Sequence, residues 1–295
     1  MNGPGSGLER PVLVGGTGRS GSTIVGHLLD QHRDLTLSRP MEVRFIAGND
    51  GLADALAVGL RKKGSPKAQA AAQRAVDRLL NSWFERAPQV GLHQSMSRED
   101  VERWAHTYLV AMDQDPVAAT RELTRRIMSR VAERLEADRL VDTTPANARK
   151  ADRVEPIYPD SRVIVVTRDG RDVAASFVSQ SFGPDDVFEA LEQWEQRMLR
   201  THQAVRACRP GRVLTVELME LVVSDRAGTL ERICQHVGVP VDPGMVAWFD
   251  GNVTADGAHP GRWRQDFDGD TCARIDEEYA EIVERLVAAG VDVPG

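Results

Sequence analysis

Residues 16–23 read GTGRSGST, so three glycines, four hydroxyls and one arginine are crowded into eight positions. Glycines at 16, 18 and 21 let a backbone turn tightly and bring its N–H groups close to an anion, and a helix starting behind them adds its positive end. The spacing is that of the phosphate loop G-x-x-x-x-G-K-[ST], except that Ser22 stands in the lysine position. In nucleoside triphosphate loops that lysine reaches the β- and γ-phosphates and the hydroxyl holds magnesium. Here Gly18, Arg19, Ser20, Gly21, Ser22 and Thr23 would instead hold a compact oxyanion through backbone N–H groups, hydroxyls and one guanidinium. The competing reading is a glycine-rich turn capped by Ser20 or Ser22.

A second basic stretch, TRDGRDVAAS at residues 167–176, sets Arg168 at the end of an apolar run and Ser176 eight residues on. Between the two lie single residues that could serve a reaction. Glu42, in SRPMEVRFI, is a carboxylate that could pair with Arg39 or Arg44. Asp142 would contact a ligand or orient Arg19, or else cap the turn at Pro145, and within the second stretch Asp172 offsets a helix dipole. His27, His32, His93 and His106 are isolated, and no two histidines have ligand spacing for a metal.

The elements that must position these residues can be read from periodicity. Residues 12–14, Val-Leu-Val, run into the glycine loop, after which Ile24, Val25, Leu28 and Leu29 recur at helical spacing. Residues 140–141, 163–166 and 213–216 are further apolar runs of the kind buried in parallel sheets. Helical patterns follow the last two. From 52 to about 136 the chain is almost wholly helical, with inward stripes at Val76, Leu79, Trp83 and Phe84, at Val101, Trp104, Ala105 and Tyr108, and at Leu123, Ile127 and Val131. The pattern predicts an α/β doubly wound parallel sheet with a P-loop-like strand-loop-helix and a mostly helical insert, about 45–137, with a small core of its own. Ligands of such sheets bind beyond the carboxyl ends of the strands, so the loops after Val14, Val141, Val166 and Val216 are the ones to inspect.

Composition narrows the class. With 41% hydrophobic and 27% charged residues the chain is globular, and a net charge of −7 argues against broad nucleic-acid binding. Cys208, Cys234 and Cys272 are odd in number and far apart, which predicts reduced core thiols rather than a disulfide framework. Residues 1–9 carry no apolar signal core and are expected to be a flexible lead to one domain spanning 1–295; with no span of roughly 20 apolar residues, a cytoplasmic protein is expected. An apolar insert face would serve a homodimer.

The two motifs together resemble the sulfotransferase superfamily, as do VDTTPAN at 141–147, YPDSRVIVVTRDGRDVAASF at 158–177 in a form common among bacterial members, Trp194, RVLTVELMELVVSD at 212–225 and GRWR at 261–264. The resemblance covers roughly residues 10–42 and 140–290. It implies 3′-phosphoadenosine 5′-phosphosulfate (PAPS) as co-substrate, no metal, and transfer of a sulfuryl group to a hydroxyl or amine of a small-molecule, carbohydrate or glycolipid acceptor. It implies that residues 18–23 hold the 5′-phosphosulfate, that Arg168 and Ser176 hold the 3′-phosphate, and that Arg262 and Trp263 close over the ribose phosphate and adenine. Arg19 would carry the charge that a lysine supplies in cytosolic relatives, and Glu42 would be the base. The chain departs from members with a lysine where Asp142-Thr143-Thr144-Pro145 stands, which puts more weight on Arg19 and the loop amides. Two other classes remain at this point: an atypical P-loop kinase or NTPase, and a non-catalytic nucleotide-binding module.

Overall fold

A computed structural model describes residues 8–294. The chain runs β1 (Val12–Gly16), α1 (Ser22–Leu29), β2 (Thr36–Leu37), α2 (Leu52–Arg61), α3 (Pro66–Arg78), α4 (Arg98–Ala111), α5 (Pro116–Leu135), β3 (Leu140–Asp142), α6 (Ala146–Arg149) and α7 (Ala151–Val154). It continues with β4 (Arg162–Thr167), α8 (Gly170–Val178), α9 (Val187–Ala207), β5 (Val213–Glu217), α10 (Arg226–Val237), α11 (Pro243–Asn252), α12 (Ala255–Ala258), α13 (Trp263–Asp266) and α14 (Gly269–Ala288). The sheet order is β2-β3-β1-β4-β5 and every pair is parallel, with Val12 opposite Val141 and Arg162. The predicted fold class therefore holds, with one strand more than periodicity gave.

Alternation along the strands builds two cores. Leu13, Val163 and Val165 face the insert helices, whereas Val12, Val14, Ile164 and Val166 face α1, α10 and α11. A third cluster, around Trp194, Trp263 and Tyr279, joins α8, α9 and α14. The insert does not keep a core of its own: Trp83, Tyr108, Ile127 and Val131 belong to the same cluster as Leu13 and Val163. Helical periodicity says which side chains turn inward, but not which surface they meet. Local signals set the insert's helix starts, since Ser65, Ser97 and Asp115 accept first-turn N–H bonds and Pro66 and Pro116 open α3 and α5. Most of the expected flexible lead lies outside the described residues.

Every strand delivers its carboxyl end to one edge of the sheet. The glycine loop follows β1, the segment with Glu42 follows β2, Asp142 ends β3 and Arg168 follows β4. The unforeseen β2 thus matters out of proportion to its length. Backbone bonds from Thr36 N to Arg139 O (2.9 Å) and from Ser38 N to Val141 O (2.8 Å) bring the Glu42 segment to this edge.

Candidate functional site

The glycine loop is a cradle with little room to spare. A Cβ at Gly16 would lie 2.2 Å from Ser20 Oγ and 2.5 Å from Val166 O, and Gly21 has a φ of 101° that favours glycine. Arg19 also adopts a left-handed conformation, with a φ of 56°, sparsely populated for a side-chain-bearing residue and typical of functional loops. Gly21 supplies no side-chain cap to α1, and the first turn holds no acidic residue, so the helix's positive end is left for an anion. Ser20 Oγ is buried without a hydrogen-bond partner. These features suit an oxyanion.

The loop and the second basic stretch meet. Arg19 Nε donates to Ser176 Oγ at 3.0 Å, across 157 residues of sequence. Ser176 is buried at the start of the third core, held by α8, whose N-terminus is capped by Asp169. Arg168 is 8% exposed and more engaged than its motif suggests. Its Nη2 donates to the carbonyls of Ala258 (2.7 Å) and His259 (3.0 Å) and lies 3.3 Å from the Asp172 carboxylate, while its Nε is buried without a partner. Asp172 in turn accepts from the N–H groups of Gly261 (3.0 Å) and Trp263 (3.4 Å). The late GRWR segment is thereby tied to Arg168, and Asp172 is a connector rather than a dipole-balancing surface charge.

A cavity of about 590 Å³ opens over this edge. Gly18, Arg19, Gly21, Ser22, Thr23, Glu42, Arg168, Ser176 and Arg262 all line it. Two expected residues do not. Ser20 lies beneath the loop, fully buried, and Trp263 is 1% exposed in the third core, with the guanidiniums of Arg171 and Arg264 stacked on its ring at 4.9 and 4.1 Å. Its indole is spent on packing. Of the histidines considered, none lines the cavity; His259, on the segment bonded to Arg168, does.

Asp142 is resolved into one of its two readings. Its buried carboxylate accepts from Val43 N (3.0 Å), Thr144 N (3.1 Å), Thr144 Oγ1 (2.8 Å) and Asn147 Nδ2 (2.9 Å), and it does not line the cavity. Burial pushes its pKa above the ordinary carboxylate value, and the four bonds oppose that shift. Thr143 N bonds to Met41 O (2.9 Å) and Arg44 N to Thr144 Oγ1 (3.2 Å). The end of β3 therefore clamps residues 41–44 on both sides of Glu42. Glu42 itself pairs with Arg44, whose Nε donates to its Oε2 at 2.6 Å; among the described residues its Oε1 accepts nothing. One oxygen is held and the other is left for a proton donor.

Sequence reasoning missed part of the wall. Arg149 from α6, Arg197 from α9, and Arg78 and Trp83 from the insert also line the cavity. In total seven arginines face one carboxylate, Glu42, in a protein of net charge −7. Such a focused positive field selects anions. Arg197 donates to Thr17 O (2.7 Å) and Gln193 Oε1 (3.1 Å), and its guanidinium stacks 4.5 Å from the Phe177 ring. No local motif marks these arginines, which only the fold brings to the loop. Among the described residues there is no cluster of metal-ligating side chains and no helix long and apolar enough to cross a membrane.

Comparison with known proteins agrees with this geometry. The sequence matches the sulfotransferase family over residues 11–243, a stretch that includes the insert and ends before the GRWR segment. No curated protein sequence matches the chain. Among solved structures, the sulfotransferase domain from the Synechococcus PCC 7002 olefin synthase is 17% identical over 97% of this chain and 96% of that one, with a TM-score of 0.54. The sulfotransferase domain from the curacin biosynthetic pathway is 14% identical over 98% and 100%, with a TM-score of 0.53. Sulfotransferase STF9 from Mycobacterium avium is 15% identical over 98% and 79%, with a TM-score of 0.51. At such identities the solved structures speak for the fold, and the sequence match speaks for the family. By that match, and with an anion cradle at the carboxyl edge of a parallel sheet, the chain belongs to the sulfotransferase family.

Proposed function

We propose that the protein transfers a sulfuryl group from PAPS to a hydroxyl or amine of a small-molecule, carbohydrate or glycolipid acceptor. The observation that carries this reading is the Arg19–Ser176 hydrogen bond, which brings the glycine loop after β1 together with helix α8 after the adjacent strand β4. A donor with a phosphosulfate at one end and a ribose phosphate at the other needs two such loops. A nucleoside triphosphate needs one long loop with its lysine.

In this reading the donor supplies an activated sulfuryl group on a good leaving group. The loop amides of residues 18–23, the hydroxyls of Ser22 and Thr23 and the Arg19 guanidinium bind its phosphosulfate end. Arg19 faces the bridging oxygen, where negative charge grows as the bond to sulfur breaks, and being always charged it stabilises that oxygen without giving up a proton. Arg168, Ser176 and Arg262 receive the 3′-phosphate. The Ser176 hydroxyl accepts from Arg19 and keeps its own proton to donate. Glu42 takes the acceptor's proton as the new oxygen–sulfur bond forms, with Arg44 fixing its carboxylate and the β3 clamp fixing its backbone. The electron pair of the broken bond stays with the departing phosphate oxygen.

The test is transfer of ³⁵S from labelled PAPS into a small-molecule extract of the producing cells. A labelled product is expected from the wild type, with the rate reduced by about 10²–10⁴ in Glu42→Gln, the usual contribution of a general base. No product from the wild type, or equal rates from both proteins, would overturn the proposal.

A further inference from the structure

The cavity arginines are not equivalent. Arg44, Arg168 and Arg262 each pair with a carboxylate, on Glu42, Asp172 and Asp266 respectively, and Arg19 is turned to Ser176. Arg78, Arg149 and Arg197 have no carboxylate partner within 4.0 Å among the described residues, although all three line the same cavity as Glu42. Arg78 stacks loosely on Trp83, 5.6 Å from the ring centroid, at the insert side. The Arg149 guanidinium makes no hydrogen bond among the described residues, so its five donors are left for a ligand. The one acidic group whose charge acts on it, Asp54, is already bonded to Lys150 (2.7 Å) and Arg153 (2.7 Å).

Arg149 and Arg197 also lie close enough to repel each other. Burial, then Arg149 and Arg200, push Arg197 down to about 10, and burial with Arg200 pushes Arg149 down as well. Two half-buried guanidiniums of like charge without a counterion cost stability unless a ligand supplies one. The donor reading gives the glycine loop and the Arg168 pair their anions, but leaves Arg149 on α6 and Arg78 on the insert without any. We propose that the acceptor is itself an anion, whose phosphate, sulfate or carboxylate group seats against Arg149 and Arg197, with Arg78 at the rim, while its hydroxyl or amine faces Glu42. This rests on the PAPS reading above and narrows the acceptor within it: a neutral phenol, sterol or unsubstituted sugar would leave these guanidiniums without a counterion.

The test uses the full chain saturated with adenosine 3′,5′-bisphosphate at fixed ionic strength, with phenyl phosphate and phenol as matched probes in calorimetric titrations. Phenyl phosphate is expected to bind at least tenfold more tightly than phenol. Arg149→Ala should lose that preference while its affinity for adenosine 3′,5′-bisphosphate stays within twofold of the wild type, which also shows that the variant is folded. Equal binding of the two probes, or an undiminished preference in Arg149→Ala, overturns the proposal. So does a tenfold or greater loss of bisphosphate affinity in that variant, since Arg149 would then serve the donor or the fold. If the wild type itself fails to bind the bisphosphate, the donor reading fails instead, so the two failures are distinguishable.

Discussion

At the amino ends of the strands, Arg10, Arg139, Arg162, Arg209 and Arg212 surround a depression of about 500 Å³; at the carboxyl ends, seven arginines surround one of about 590 Å³. By composition the two edges look alike, yet they use the same side chain differently. At the amino edge four of the five guanidiniums, all but that of Arg10, donate to backbone carbonyls, and Arg209 also pairs with Glu155. Arg139 bonds Arg10 O (2.6 Å) and Val237 O (2.8 Å), Arg162 bonds Gly211 O (3.1 Å), Arg209 bonds Pro159 O, and Arg212, 2% exposed, bonds Ala151 O (2.9 Å), Tyr158 O (3.3 Å) and Ser161 Oγ (2.6 Å). These arginines staple strand entries to neighbouring loops. At the carboxyl edge the loops diverge, the α1 terminus has no side-chain cap, and Arg19, Arg78, Arg149 and Arg197 have no carboxylate partner within 4.0 Å among the described residues. What separates a staple from a ligand site is the destination of the donors, not the number of arginines.

The contrast can be broken at either end. The largest stability change is expected from Arg212→Ala, which removes three hydrogen bonds made by a buried guanidinium; at about 1 kcal/mol per bond, a loss of roughly 3 kcal/mol should appear in a urea denaturation curve. Affinity for adenosine 3′,5′-bisphosphate should not change, and a parallel loss of it would erase the distinction between the edges.

Arg168 tests the boundary, because it both staples residues 258–259 and faces the cavity. Arg168→Ala should weaken adenosine 3′,5′-bisphosphate binding by about 1.5–3 kcal/mol, the range for hydrogen bonds to a charged group, and leave adenosine 5′-monophosphate binding nearly unchanged. Equal weakening of both nucleotides would make Arg168 a staple like Arg212. A smaller effect is expected from Ser176→Ala, which removes one neutral hydroxyl: about 1 kcal/mol in bisphosphate affinity by titration calorimetry, with little change in the denaturation midpoint.

What could be read from the sequence was what is local. The glycine loop, the Arg168…Ser176 pair and four of the five strands carry their signals within ten residues. The two-residue β2 is too short to show alternation, and is a strand only because Arg139 and Val141 offer it carbonyls. Glu42 could be placed by resemblance, but its clamp by Asp142 and Thr144 spans about a hundred residues and has no local mark. Arg149 and Arg197 were out of reach for the same reason. Trp263 shows the opposite limit: a tryptophan flanked by arginines reads equally well as a base-stacking loop or as a packed ring under cation–π contacts, and burial decides for packing.

A two-anion site at the carboxyl edge must distinguish adenosine phosphates by their 3′-phosphate. Titrating the wild-type protein with adenosine 3′,5′-bisphosphate, adenosine 5′-monophosphate and magnesium ATP measures that distinction. The bisphosphate is expected to bind about tenfold or more tightly than the monophosphate, the equivalent of ~1.5–3 kcal/mol from the 3′-phosphate contacts, and without added magnesium. Equal affinity for the two adenosine phosphates, or tighter binding of magnesium ATP, would contradict a two-anion site.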